Sequence, residues 1–108
     1  MAKVELFDKE LQEAGSMFKS LSHPARLAIL KYLAEAKVCI SGDISDELPL
    51  SRTTVHQHLE ELKKAGLIVG EIEGVKKNYC LNPERIQHLR DTLNSFLIQI
   101  NCCHTNNC

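Results

Sequence analysis

Pro49 and Gly66 bracket the stretch that most restricts what this chain can become. Between them Val55, Leu59 and Leu62 recur at steps of four and three, which puts them on one stripe of a helix, while Thr53, Gln57 and Lys64 fall on the opposite side. Pro49 keeps an earlier helix from running into this one, because the residue before a proline avoids helical geometry. Ser51 is placed to cap the new helix, and Gly66 is a natural left-handed terminator. The spacing therefore predicts an amphipathic helix over 51–65 with a polar outer face.

The same reasoning divides the rest of the chain. Val4, Phe7, Leu11, Ala14 and Met17 form an apolar seam on a first helix ending near Leu21. Ser22-His23-Pro24 starts a second helix, whose buried face is predicted as Leu27, Leu30 and Leu33 and whose end falls near Ala36-Lys37. A short third helix is expected from about Ser41, burying Ile44 and Leu48, with Asp43 and Asp46 toward its positive end. It precedes the 51–65 helix as a helix-turn-helix. Leu67 to Glu73 and Val75 to Leu81 alternate as two strands of a hairpin around Gly74. Asn82-Pro83-Glu84 supplies a cap, a first-turn proline and an acid, and opens a last helix reaching about Ile100. The fold class is thus mainly α with a small β-hairpin (α+β).

With 108 residues and 44% hydrophobic content, one domain with one modest core is expected over residues 1–100, followed by a Cys-rich tail at 101–108. The last helix carries a second seam of Ile86, Leu89, Leu93, Phe96 and Ile100. Two seamed helices at the ends of a small domain exceed its own needs, so mutual packing with a second copy is predicted, with Phe7, Leu11, Leu89, Leu93, Phe96 and Ile100 at the interface. The alternative is packing of the first helix on the last within one chain. Residues 1–10 interleave acids with apolar residues and form no secretory core, and no apolar run is long enough to span a bilayer. A cytoplasmic protein with no membrane partner and mostly reduced thiols is expected.

Helix, helix, short helix, helix, hairpin, helix is the order of a winged helix-turn-helix. Phe18 to Leu30 (FKSLSHPARLAIL), Leu50 to Leu59 (LSRTTVHQHL), Ala65-Gly66-Leu67-Ile68 and Tyr79 to Pro83 (YCLNP) together resemble the ArsR/SmtB family of dimeric winged-helix repressors that sense metals and metalloids. The resemblance covers roughly residues 4–100. It implies a homodimer through the first and last helices, the 51–65 helix in the major groove, and derepression by an inducer. By resemblance Arg52, Thr53, His56 and Gln57 read bases; short donors near a helix N-terminus suit base edges and phosphates, with Thr54 flanking and Ser51 both capping and touching phosphate. Lys76 and Lys77, just past Gly74, are placed to meet the backbone from a wing. His58 projects to the edge of the core face and reads as structural.

Charge is sparse for such a task. The chain carries a net −1, and over 51–77 Arg52, Lys63, Lys64, Lys76 and Lys77 against Glu60, Glu61, Glu71 and Glu73 leave only +1. Two copies must therefore engage double-stranded DNA together, on an operator with inverted symmetry and half-sites ~34 Å apart.

Three of the five cysteines, Cys102, Cys103 and Cys108, lie in the last seven residues. Family sensors place thiolates in the third helix, but the matching positions here are Ile40, Gly42 and Ser45, with only Cys39 beside them. The family's last-helix site is also absent by pattern, since His88 and Asp91 stand in the wrong order. The tail resembles arsenite-responsive members with a vicinal thiol pair plus one at the end of the last helix. Arsenite and antimonite favour three sulfurs in a pyramid, so either is the expected inducer, bound by Cys102, Cys103 and Cys108. Zinc, or cadmium, competes as a reading, with His104 completing a Cys₃His set for zinc. Thiol oxidation competes as well; adjacent cysteines have Cα atoms only about 3.8 Å apart, so a disulfide would involve Cys108. Cys39 and Cys80 read as structural thiols.

No Cys-His-acid arrangement, phosphate loop or cofactor motif is present, so an enzyme is not expected. A thiol-dependent arsenic-handling protein, and a winged helix that binds protein rather than DNA, are the rival classes.

Overall fold

The computed structural model describes residues 3–36, 40–41, 44, 47–71 and 78–101. A short 3-10 turn, Val4–Leu6, leads into α1 (Lys9–Lys19) and then α2 (Pro24–Ala36). The strand β1 (Ile40–Ser41) follows, then α3 (Arg52–Lys64), strands β2 (Ile68–Glu71) and β3 (Asn78–Leu81), and α4 (Pro83–Ile100).

The first helix is shorter than its seam suggested. Asp8 takes the extended conformation of a cap residue, and the Gln12 side-chain amide donates to the Phe7 carbonyl at 2.6 Å, closing the turn before the helix. Val4 and Phe7 are thereby separated from the α1 stripe, and Phe7 stays 61% exposed. α1 buries Ala14 and Met17.

α2 is rotated from the expected phase. Its buried side is Ala25, Ile29 and Leu33, whereas Leu27 is 51% exposed and Leu30 only partly buried. Apolar residues occupy nearly every side of this helix, so periodicity alone selects no single face. His23 caps it with its ring: Nδ1 accepts the Ala25 N–H at 3.0 Å.

The helix expected from Ser41 is corrected at its start, because Ser41 lies in β1 and pairs with Asn78, as Ile40 pairs with Tyr79. Positions 42, 43, 45 and 46, including Asp43 and Asp46, lie outside the described residues. Ile44 is buried as expected, its carbonyl accepts the Glu47 N–H at 2.9 Å, and Leu48 packs against the core.

The sheet consequently has three strands in the order β1-β3-β2, not two. In the β2–β3 pair, Ile68 faces Leu81 and Gly70 faces Tyr79. Gly70 has φ +119, and a Cβ there would overlap the Asn78 carbonyl oxygen and lie 2.9 Å from the Tyr79 Cα. Only glycine fits.

Ile29, Leu33, Ile44, Val55, Leu59, Leu62, Leu67, Ile68 and Tyr79 form one core between α2, α3 and the sheet. Each such burial stabilises by roughly 1.5–3 kcal/mol against leaving the side chain in water. Ile86 and Leu89 of α4 pack onto this core from outside. Further along, α4 meets α1, with Phe18 and Phe96 rings 5.9 Å apart. First helix on last within one chain is therefore part of the structure, yet Leu11, Leu93, Leu97, Ile98 and Ile100 remain exposed, Ile98 by 75%.

Candidate nucleic-acid interface

The outer face of α3 is built by its inner one. Val55, His58, Leu59 and Leu62 are buried, which turns Arg52, Thr53 and Gln57 outward and leaves Thr54 and His56 half-buried at the sides. Ser51 caps the helix: its Oγ accepts the Thr54 N–H at 3.2 Å and donates to Thr54 Oγ1 at 2.9 Å. The remaining first-turn N–H groups and the positive end of the helix dipole lie beside Ser51, Arg52 and Thr53. Hydroxyl, amide and guanidinium groups thus gather at one helix N-terminus, a surface suited to phosphate oxygens and base edges. Lys76 and Lys77 lie outside the described residues.

Both ends of α3 are anchored. At its C-terminus Gly66, with φ +81, donates to the Lys63 carbonyl at 2.9 Å, and Leu67 donates to that of Leu62 at 3.0 Å. This double bond pattern closes the helix as a Schellman motif, with Leu62 and Leu67 joined in the core. The first turn of α4 holds the same corner. The Asn82 N–H donates to the Leu67 carbonyl at 2.9 Å, and Arg85 Nε donates to the Ala65 carbonyl at 3.1 Å. Asn82 also caps α4, its Oδ1 accepting from the Arg85 N–H at 3.4 Å.

On the inner side, His58 Nδ1 accepts from Arg26 Nε at 3.1 Å, and its ring lies 4.3 Å from that of His23. Burial first, then the positive potential of His23 and Arg26, holds the His58 pKa below its ordinary 6.5. The structural role expected of His58 is the one it has. Its partner on α2, 32 residues away, carries no periodic signal and was missed by sequence reasoning.

Cys102, Cys103, His104 and Cys108, like Cys39, lie outside the described residues. Among the described residues no three His, Cys, Asp or Glu side chains are placed to hold a metal ion. Cys80 departs from expectation: this half-buried β3 residue is disulfide-bonded, not a reduced thiol. Between α1 and α4, His88 Nε2 pairs with Glu13 Oε1 at 3.0 Å in a groove shared with Glu10, Asp91 and Phe96. Sequence spacing tied His88 to neither Glu13 nor α1. No described helix is long and apolar enough to cross a membrane.

An amphipathic helix with a polar N-terminal face, buttressed by a preceding helix and flanked by an antiparallel sheet, defines a winged-helix DNA-binding regulator. A helix-turn-helix domain family matches residues 21–71. The chain is 35% identical over 82 residues to the uncharacterized HTH-type transcriptional regulator MJ1325 of Methanocaldococcus jannaschii, covering 75% of this chain and 91% of that one. It is 34% identical over 79 residues to the HTH-type transcriptional repressor SmtB of Mycobacterium tuberculosis, covering 73% of this chain and 58% of SmtB's length. A solved structure described as a possible transcriptional regulator for arsenical resistance superposes with a TM-score of 0.65 at 23% identity, covering 86% of this chain and 97% of that one. The chain belongs to the ArsR/SmtB family of winged-helix transcriptional regulators.

Proposed function

We propose that the protein is a homodimeric repressor, released from an operator of inverted symmetry when arsenite or antimonite binds the thiolates of Cys102, Cys103 and Cys108. The observation that carries this reading is the placement of the triad directly after α4, whose first turn holds the end of the DNA-reading helix through Arg85 and Asn82. Three thiols are the donor set that trivalent arsenic and antimony favour. Capture of the inducer would bias the setting of α4, and a coupling of roughly 1–3 kcal/mol between the sites suffices for release. The exposed Leu11, Leu93 and Ile100 supply apolar surface for a second copy, and two reading heads compensate for the small positive charge of each.

The test is an equilibrium titration of the dimer on DNA from its own upstream region, in parallel with arsenite, antimonite, zinc and cadmium under reducing conditions. Arsenite or antimonite should release the DNA, and Cys102→Ser and Cys103→Ser should bind it but not let go. Normal release from both variants would remove the tail as the sensor, and release by zinc or cadmium alone would move the inducer to that class.

A second reading, response to thiol oxidation, is favoured by the disulfide at Cys80. Under it, a mild thiol oxidant in place of arsenite changes operator affinity, and Cys80→Ser abolishes the change.

A further inference from the structure

We propose that Arg26 and His58 form a proton-sensitive latch on the DNA-reading helix: neutral His58 ties α3 to the ends of α1 and α2, and protonation undoes the tie, weakening operator binding in acid. The inference rests on α3 being the reading helix.

Arg26 touches three elements at once. It belongs to α2, its Nε donates to His58 Nδ1 on α3 at 3.1 Å, and its Nη1 approaches the carbonyls of Ser20 and Lys19 at the end of α1 at 3.4 and 3.5 Å. His58 is 8% exposed and stands next in sequence to Gln57, which points outward. A shift of the helix at position 58 therefore displaces the reading face directly.

The hydrogen bond requires a bare Nδ1. A guanidinium is always charged and only donates, so it cannot face a protonated Nδ1; imidazolium presents a donor where the acceptor stood. The neighbours deepen the conflict. The turn before α2 contributes the His23 ring, α2 contributes the Arg26 cation, α1 contributes main-chain carbonyls through Arg26, and β2 packs against α3 with the apolar Ile68. On α3 itself Glu61 is turned to Lys64, at 4.0 Å. The charged groups that bear on His58 are thus both cationic or cation-forming, and the pKa below 6.5 follows from burial and from them. The latch is closed at neutral pH and loads its proton as pH falls below that value.

The experiment uses the full chain and a duplex recovered by its binding from a random DNA library. Affinity for that duplex and for unrelated DNA is measured from pH 8 to 5 at fixed ionic strength, for the wild type and His58→Asn. Asparagine places a carbonyl oxygen near the position of Nδ1 and does not titrate. The variant should match the wild type at pH 8, and the wild type should lose about tenfold more operator affinity than the variant by pH 5. Parallel pH profiles would overturn the latch. If His58→Asn is already impaired at pH 8, NMR titration of the wild-type imidazoles decides: α3 amide shifts that track His58 support the latch, and α3 amides indifferent to it refute it. Absence of any selected duplex at every pH would instead count against DNA reading, and the NMR titration still judges the latch.

Discussion

Arg85 Nε, in the first turn of α4, donates to the main-chain carbonyl of Ala65 at the end of α3, 3.1 Å away. That carbonyl is one the Schellman closure leaves unpaired, and it lies at the negative end of the helix dipole, where a guanidinium is favoured. The helix that precedes the tail cysteines in the sequence and α3 are therefore joined by a charge-assisted bond, next to the Asn82 to Leu67 main-chain bond.

Replacing Arg85 by methionine keeps much of the aliphatic packing against Gly66 but removes the donor. The loss is expected to be about 1–2 kcal/mol of unfolding free energy, read from urea denaturation. If α4 governs α3 through this bond, the ratio of operator affinities with and without inducer should also shrink toward one. A variant with reduced stability but an unchanged ratio would place the coupling elsewhere.

Gly66 and Gly70 should not tolerate alanine equally. At Gly66, φ +81 costs a non-glycine residue ~1–2 kcal/mol, and the new methyl would only touch the flexible Arg85 side chain at 3.4 Å. At Gly70 the methyl would collide with the main chain of Asn78 and Tyr79, so β2 and β3 would have to separate. Comparative urea midpoints should place Gly70→Ala well below Gly66→Ala.

The pH dependence of stability follows from His58. Its folded pKa is lowered, so the unfolded chain binds the proton more readily, and folding stability rises with pH across the interval between the two values. The contribution is complete above about pH 6.5 and is lost as pH falls through the folded value. Urea unfolding at pH 7.5 and pH 5 should show a smaller loss for His58→Asn than for the wild type.

Leu93→Glu tests the dimer without touching the core. Leu93 is exposed in the single chain, so the substitution should alter monomer stability by no more than ~0.5 kcal/mol. A charge placed in an apolar seam between two copies should instead shift sedimentation equilibrium to monomer. A dimer that survives would show that the second copy packs elsewhere.

The parts of this fold legible in the sequence are those with strong local punctuation. Ser51 and Gly66 bounded α3, Asn82 and Pro83 opened α4, and the stripe of Val55, Leu59 and Leu62 gave the outward face by subtraction. Local signals failed where several phases were equally apolar, as in α2, and where two residues of strand, Ile40 and Ser41, depend on pairing with a distant partner. The extended Asp8 broke a seam that looked continuous. The bonds from Arg26 to His58 and from Arg85 to Ala65 join side chains to sites 32 and 20 residues away, and no spacing rule encodes them.

The outward residues of α3 should divide into two energetic kinds. Gln57 offers a planar amide suited to paired hydrogen bonds with a base edge, so Gln57→Ala should cost about 1–3 kcal/mol on the preferred operator and relax the preference at the contacted position. Ser51 sits at the cap, where a phosphate contact is blind to sequence, and its loss also removes the bond to the Thr54 N–H. Ser51→Ala should therefore weaken operator and unrelated DNA alike and lower helix stability by about 1 kcal/mol. Binding profiles on single-base operator variants separate the two. A Gln57→Ala profile that merely scales down uniformly would remove this side chain from base reading.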